Sequence, residues 1–353
     1  MKPGFPNSFR MLVSDFDYEL PDDLIAQEPL EKREASRMLV AHRKTGVLND
    51  KHFYELPGFL QKGDVVVLNN TRVFPARLFG ASETGAKIEI FLVRETGNNV
   101  WETLARPARR LKPGKTINFG DRLYAEVLDK TDDGKVVVRF DADGDFEEIL
   151  DELGRTPLPP YIKREEGSID ADRERYQTVF ARNRGAIAAP TAGLHFTPEI
   201  LEAVKAKGVT VTEITLHVGY GTFEPVRVND LTDHRVMPEQ YEISEETSEV
   251  LNQAKTEGRR IIAIGTTTTR ALETSMAAHG RFMAERGSAN LTIVPGYQFN
   301  AIDGLLTNFH LPQSSLLVLV SVFGGHEFIM KAYGHAVSER YRFYSYGDCM
   351  LIF

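Results

Sequence analysis

The chain has 353 residues, which at about 150 residues per domain leaves room for two ordinary domains and a sizeable core. With 42% hydrophobic and 26% charged residues it has the proportions of a globular protein, which excludes collagen, coiled coil and wholesale disorder. A formal charge of −8 excludes indiscriminate coating of nucleic acid, and a single cysteine, Cys349, excludes an internal disulfide or a two-thiolate metal site, so a reducing, cytoplasmic setting is expected.

Residues 1–10 lack the apolar core of a signal peptide. The run Asp64-Val65-Val66-Val67-Leu68, led by Gly63 and stopped by Asn69-Asn70, reads as a buried strand with polar residues at its end. From about Arg72 to Phe140 short alternating runs recur at 87–93, 123–127 and 135–140. Turns at 96–99, 113–114 and 132–134 separate them, the pattern of a small inserted β domain, barrel or sandwich. Pro157-Leu158-Pro159-Pro160 is a stiff link, after which helix and strand signals alternate. Thr197 caps a helix with Pro198 at its first position and Gly208 beyond its end. A strand follows with Ile214, Leu216 and Val218 on one face and Glu213, Thr215 and His217 on the other. A helix from about 244 to 255 leads into the strand 260–264, which runs into Gly265-Thr266-Thr267-Thr268-Thr269-Arg270. The longest apolar stretch, 316–323, is far short of the roughly 20 residues of a membrane helix, so no membrane segment is expected.

Common catalytic signatures fail on spacing. Gly114-Lys115-Thr116 has Arg109 where a phosphate-binding loop needs glycine, Gly219-Tyr220-Gly221 has Glu224 where a dinucleotide fingerprint needs its third glycine, and His326-Glu327 has Met330 where a zinc protease needs histidine. What survives is a set of polar residues at strand ends and turns, where open α/β sheets hold ligands. His195, among the small residues of Ala188 to Thr197 and just before a helix, and His217, at a strand end followed by Gly219 and Gly221, are candidates for proton transfer near neutral pH. Each placement suits equally a histidine that only closes a turn or a sheet edge. The threonines before Arg270 stand where free helix amides favour a carboxylate or phosphate.

Between Trp101 and Asn118 five basic residues, among them Arg106, Arg109 and Arg110, face one acidic residue, a local patch suited to phosphates within an acidic chain. The run Arg340-Tyr341-Arg342-Phe343-Tyr344-Ser345-Tyr346 could stack on bases, but an isolated aromatic run favours packing.

Nearly the whole chain, from about Met11 to Ile352, resembles the S-adenosylmethionine:tRNA ribosyltransferase-isomerases of queuosine biosynthesis. The strings that carry the resemblance include 15–21, Asn69-Asn70-Thr71-Arg72-Val73-Phe74-Pro75-Ala76-Arg77, 157–162, 176–179, 189–196, 215–227, Thr307-Asn308-Phe309-His310-Leu311-Pro312 and 341–348. It departs from the family in residues 1–10, which precede the family-like start, and around Asp233-His234-Arg235.

The resemblance implies an α/β protein in which 1–72 and 157–353 form a discontinuous catalytic domain and 73–156 an inserted β-barrel. It implies transfer and isomerisation of the ribosyl part of S-adenosylmethionine onto 7-aminomethyl-7-deazaguanine at the tRNA wobble position, with adenine and methionine released. The implied partners are S-adenosylmethionine as co-substrate and the precursor-bearing tRNA, with no prosthetic group and no metal; a monomer is expected. That chemistry needs a base for the acidic C5′ hydrogens beside the sulfonium and an acid for the departing adenine, roles assigned to His195 and His217. Asn70, Thr71, Arg72, Thr191, Gly193, Gly219, Gly221 and Thr222 are the expected cofactor contacts, Arg270 the partner of its carboxylate, and Arg106, Arg109 and Arg110 the tRNA contacts. Two rival readings are an S-adenosylmethionine-dependent RNA methyltransferase and a non-catalytic tRNA-binding module. The first normally shows a glycine-rich loop where Asn69-Asn70-Thr71-Arg72 stands, and the second needs no large α/β body with polar turns.

Overall fold

The computed structural model describes residues 11–164, 169–223, 226 and 228–353. The body opens with β1 (Arg37–His42), β2 (Val47–His52), the short α1 (Leu56–Phe59), β3 (Val65–Asn69) and β4 (Thr71–Val73). The barrel strands follow as β5 (Arg77–Ser82), β6 (Lys87–Gly97), β7 (Val100–Arg106), β8 (Thr116–Asn118), β9 (Leu123–Lys130) and β10 (Val136–Ala142). Next come α2 (Phe146–Leu153), α3 (Ile169–Arg175), β11 (Asn183–Ala186), α4 (Pro198–Ala206), β12 (Thr210–Leu216), β13 (Glu239–Ile243), α5 (Glu245–Thr256) and β14 (Ile261–Ile264). The chain ends with α6 (Thr266–His279), β15 (Glu285–Ala289), β16 (Gly304–Asn308), α7 (Ser315–Gly324), α8 (His326–Ser338) and β17 (Cys349–Ile352).

Nine strands form one sheet in the order β15-β13-β12-β3-β14-β16-β17-β1-β2, and its centre, β12-β3-β14-β16, is parallel. These strands are apolar on both faces because both are covered. Val65, Val67, Ala263, Leu305 and Met350 point into a core under α5 to α8, while Val66, Leu68, Ile262, Leu306 and Leu351 point into a second core under α1 and α4. A period of two divides each strand between the two cores.

The insert is a closed six-stranded barrel, β10-β7-β6-β5-β8-β9, with its own core, so the sequence expectation of an α/β body interrupted by a β-barrel matches the fold. Its neck is tight. A Cβ on Gly154, where the chain leaves, would lie 2.3 Å from the carbonyl oxygen of Pro75, where it enters, so only glycine fits. The proline segment after it is packed rather than free, with Pro157 and Pro159 buried.

The helix opened by Thr197 and Pro198 forms as expected, the Thr197 hydroxyl accepting the Ile200 N–H at 3.3 Å. The threonine run differs from the expected turn: it is already the first turn of α6. Thr268 and Thr269 donate their hydroxyls back to the carbonyls of Ile264 and Gly265, which lets them be buried inside a helix. The C-terminal aromatics pack, with Tyr341, Phe343, Tyr344 and Tyr346 all buried. No single described helix is long and apolar enough to cross a membrane.

Candidate active site

Parallel strands leave a crevice at their carboxyl ends, and there the body holds a cavity of about 580 Å³. Gly265, Thr266 and Thr267 line it beyond β14, and Thr307 to Gln313 at the end of β16 and after it. Ala188 to Ala192 and Val218 form one wall, and Tyr161, Tyr176, Tyr344 and Ser345 another. Two helices start on it. Gly265, at φ +93°, turns the chain into α6 and lends no side-chain cap, so the first amides of that helix are left for a ligand; Ser314 caps α7 beside it. Both positive helix ends thus face one space.

Among the described residues the lining carries no Asp, Glu, Lys or Arg; its ionisable groups are His310 and three tyrosines. Burial pushes His310 down to about 3, so its imidazole is neutral, with Nε2 2.7 Å from Thr307 Oγ1. Its backbone is clamped, the N–H donating to Tyr333 Oη and the carbonyl accepting from Tyr18 Oη. Tyr161 stacks on Tyr344 at 4.4 Å between centroids, and burial pushes its hydroxyl up to about 12. The Tyr344 hydroxyl is buried with no hydrogen-bond partner, and Tyr344 sits at φ +71°, an uncommon conformation for a bulky residue.

His195 lies one layer behind this cavity. Its Nε2 is 3.1 Å from Asn308 Oδ1 and its Nδ1 2.7 Å from Ser36 Oγ. Because an amide oxygen only accepts, Nε2 carries the proton and Nδ1 takes the hydroxyl hydrogen of Ser36. Asn308 in turn donates Nδ2 to the carbonyl of Tyr344 at 2.8 Å. Burial, opposed by the Asn308 hydrogen bond, lowers His195 to about 4. Both nitrogens of His195 are thus hydrogen-bonded, and it is not among the residues that line the cavity.

His217 lies elsewhere, at the junction of β4, β11 and β12, with Nδ1 2.8 Å from Thr71 Oγ1. Burial lowers its pKa, against a weaker pull from Glu242. Gly185 makes room for it, since a Cβ there would meet the ring at 2.7 Å. The structure therefore does not bring the two histidines together on the large cavity. Asn70 is consumed by Thr215, Asn183 and Glu213, Thr71 by His217, and Arg72 is exposed. Thr191 lines the cavity, whereas Gly193 packs against Phe180 and Thr178.

Gly219 donates its N–H to Glu239, and Gly221 packs on Met237. The side chain of Thr222 and residues 1–10 lie outside the described residues. Arg270 is buried in an ion pair with Glu239 at 2.5 Å and also donates to the carbonyls of Ala289 and Met237; it does not line the large cavity. Arg106, Arg109 and Arg110 are exposed on the barrel, with no ion pair among the described residues.

The residues sequence reasoning missed are His310, Asn308 and the three tyrosines. The signal was present: Thr307-Asn308 ends an apolar strand just as Asn69-Asn70 does. Among the described residues no cluster of His, Cys, Asp and Glu could hold a metal ion.

The chain matches the model of a family described as queuosine biosynthesis protein over residues 13–352. It is 51% identical over 344 residues to an S-adenosylmethionine:tRNA ribosyltransferase-isomerase of Desulfitobacterium hafniense, covering 97% of this chain and all of that one. A protein of the same description from Staphylococcus saprophyticus is 50% identical over the same coverage. A crystal structure of S-adenosylmethionine tRNA ribosyltransferase from Thermotoga maritima aligns over 96% of this chain and all of its own, at 38% identity and a TM-score of 0.56.

Proposed function

The chain belongs to the queuosine biosynthesis protein family and is an S-adenosylmethionine:tRNA ribosyltransferase-isomerase, and from that premise we propose that the cavity at the ends of β14 and β16 is where it binds S-adenosylmethionine and transfers the ribosyl group. The enzyme moves that group onto 7-aminomethyl-7-deazaguanine in tRNA, isomerising it to the epoxide of epoxyqueuosine and releasing adenine and methionine.

One observation carries the assignment: a space of about 580 Å³ without a charged side chain among its described residues, two helix N-termini on one rim and stacked tyrosines on the other. S-adenosylmethionine is a cation beside a carboxylate, with a flat purine attached. The amides opening α6 and α7 suit the carboxylate. The faces of Tyr161 and Tyr344 suit the sulfonium and the purine. Among the described lining residues no carboxylate side chain is present to neutralise the charge that acidifies the C5′ hydrogens.

We assign proton transfer at the sugar to His310. It is the one imidazole on the cavity, and when Nε2 donates to Thr307 its Nδ1 keeps a free lone pair. His195 is a positioning residue acting through Asn308, and Arg270 with Glu239 braces the base of α6 instead of meeting the carboxylate. His217 and Thr71 stand at the body–barrel junction. Arg106, Arg109 and Arg110 would meet tRNA phosphates. The domain division at 72/73 and 156/157, a monomeric state and a cytoplasmic setting complete the reading.

Incubation with S-adenosylmethionine and precursor-bearing tRNA should release adenine and methionine in equal amounts. S-adenosylhomocysteine would indicate methyl transfer, and no product would indicate a binding module.

A further inference from the structure

A second cavity, of about 520 Å³, lies between the barrel and the body, apart from the one assigned above to ribosyl transfer. Three aromatic side chains line it: Phe74, Trp101 and Phe146. The Trp101 ring is 5.9 Å from Phe74 and 6.3 Å from Phe146 between centroids. Two side chains that line this cavity each hold an unmet donor, since the Trp101 indole N–H and Arg184 Nη2 are both buried without a hydrogen-bond partner. A buried donor left unpaired is costly, so an acceptor supplied by a ligand is rewarded twice over. The rest of the guanidinium is committed, Nη1 to Asp151 at 2.8 Å and Nε toward Glu147 at 3.9 Å.

Aromatic walls with edge donors suit a flat, neutral, acceptor-bearing ring. A phosphate is a poor fit, because Glu95, Asp145 and Glu147 outnumber Arg184 in the lining. The location adds a constraint. Gly185 lines this cavity and Ala188 lines the large one, and three residues of chain span at most about 11 Å. Lining residues of the two cavities therefore lie within that reach of one another.

We propose that this cavity receives an unpaired nucleobase of the tRNA loop that carries the modified base, stacked against Trp101 and read at a carbonyl oxygen by the Trp101 N–H and Arg184. The proposal rests on the tRNA-modifying reading given above. A loop of RNA with its bases splayed outward supplies such a base; a duplex does not.

The test uses the full chain and a fluorescently labelled anticodon stem-loop bearing the precursor base, with a companion set in which one other loop nucleotide at a time is abasic. Ala142, which lines the cavity, is replaced in Ala142→Leu to fill it, and Trp101→Phe removes the N–H while keeping a ring. Losing one base–aromatic stack should weaken RNA binding about tenfold. Ala142→Leu should show that loss and Trp101→Phe a smaller one, with S-adenosylmethionine affinity within about twofold of wild type. One abasic position should weaken the wild type about tenfold and add nothing to Ala142→Leu.

Unchanged RNA affinity in both variants, or an abasic loss that adds in full in Ala142→Leu, overturns the base pocket. If Ala142→Leu fails to fold by its melting curve, Trp101→Phe with the abasic series decides. Adenine release by the wild type is measured alongside. Its absence overturns the activity reading itself, whereas release together with unchanged RNA affinity overturns only the pocket.

Discussion

The cavity in the body and the surface of the barrel solve opposite electrostatic problems. The cavity buries its polar groups and fixes them through one another, Ser36 to His195 to Asn308 to the Tyr344 loop, and shows no charged side chain among its described lining. The barrel exposes three arginines without an ion pair among the described residues. Buried, satisfied networks hold geometry, and exposed unpaired cations lend reach and salt-dependent attraction. Under the proposed assignment transition-state chemistry belongs to the rigid sheet ends and RNA capture to the insert, so substitutions in the two regions should fail in different measurements.

The largest effect is expected at His310. His310→Ala should lower kcat about 10²- to 10⁴-fold while calorimetry finds S-adenosylmethionine affinity nearly unchanged; a rise in KM alone would move His310 out of the chemistry. The next effect appears as stability against pH. His195 is held at about 4 in the fold against an ordinary 6.5, so the stability gained from keeping it neutral is complete above about pH 6.5. It drains away as pH falls toward 4, by about 3 kcal/mol for the full shift. Urea unfolding across that range should show the loss in wild type and a flatter profile in His195→Gln; parallel profiles would mean that another group dominates acid lability.

A smaller effect is expected at Tyr344, whose hydroxyl lacks a partner. Tyr344→Phe should leave the melting temperature unchanged or raised, yet weaken S-adenosylmethionine binding several-fold, by about the net worth of one hydrogen bond. Equal binding would return that hydroxyl to mere packing. The mildest effect belongs to the barrel: replacing Arg106, Arg109 and Arg110 together by Ala should flatten the slope of log affinity for tRNA against log salt by about two to three and leave S-adenosylmethionine binding intact. A slope equal to wild type would make these arginines ordinary solvated surface.

Much of the architecture was legible because it rests on local patterns. The apolar run 65–68 announced a strand covered on both faces, the Gly-punctuated runs announced a small β domain that the fold closes into a barrel, and Thr197-Pro198 announced α4. The site was legible only in outline. Polar residues at strand ends marked the right edge of the sheet, but which of them face the cavity depends on packing between segments far apart in sequence. His195 looked like a poised histidine in a loose turn; Ser36 and Asn308, 159 and 113 residues away, make it a brace. Arg270 beside threonines looked free for a carboxylate until β13 brought Glu239 against it. No local pattern marks a tyrosine hydroxyl left without a partner, so Tyr344 became visible only in three dimensions.

The most direct test of the account is calorimetric titration of S-adenosylmethionine into wild type, Thr191→Trp, which pushes a bulky ring into the large cavity, and Ala142→Leu, which narrows the barrel-side one. The account predicts binding to the wild type and to Ala142→Leu alike and none to a folded Thr191→Trp. Full-strength binding to Thr191→Trp would contradict the assignment of that cavity to the co-substrate.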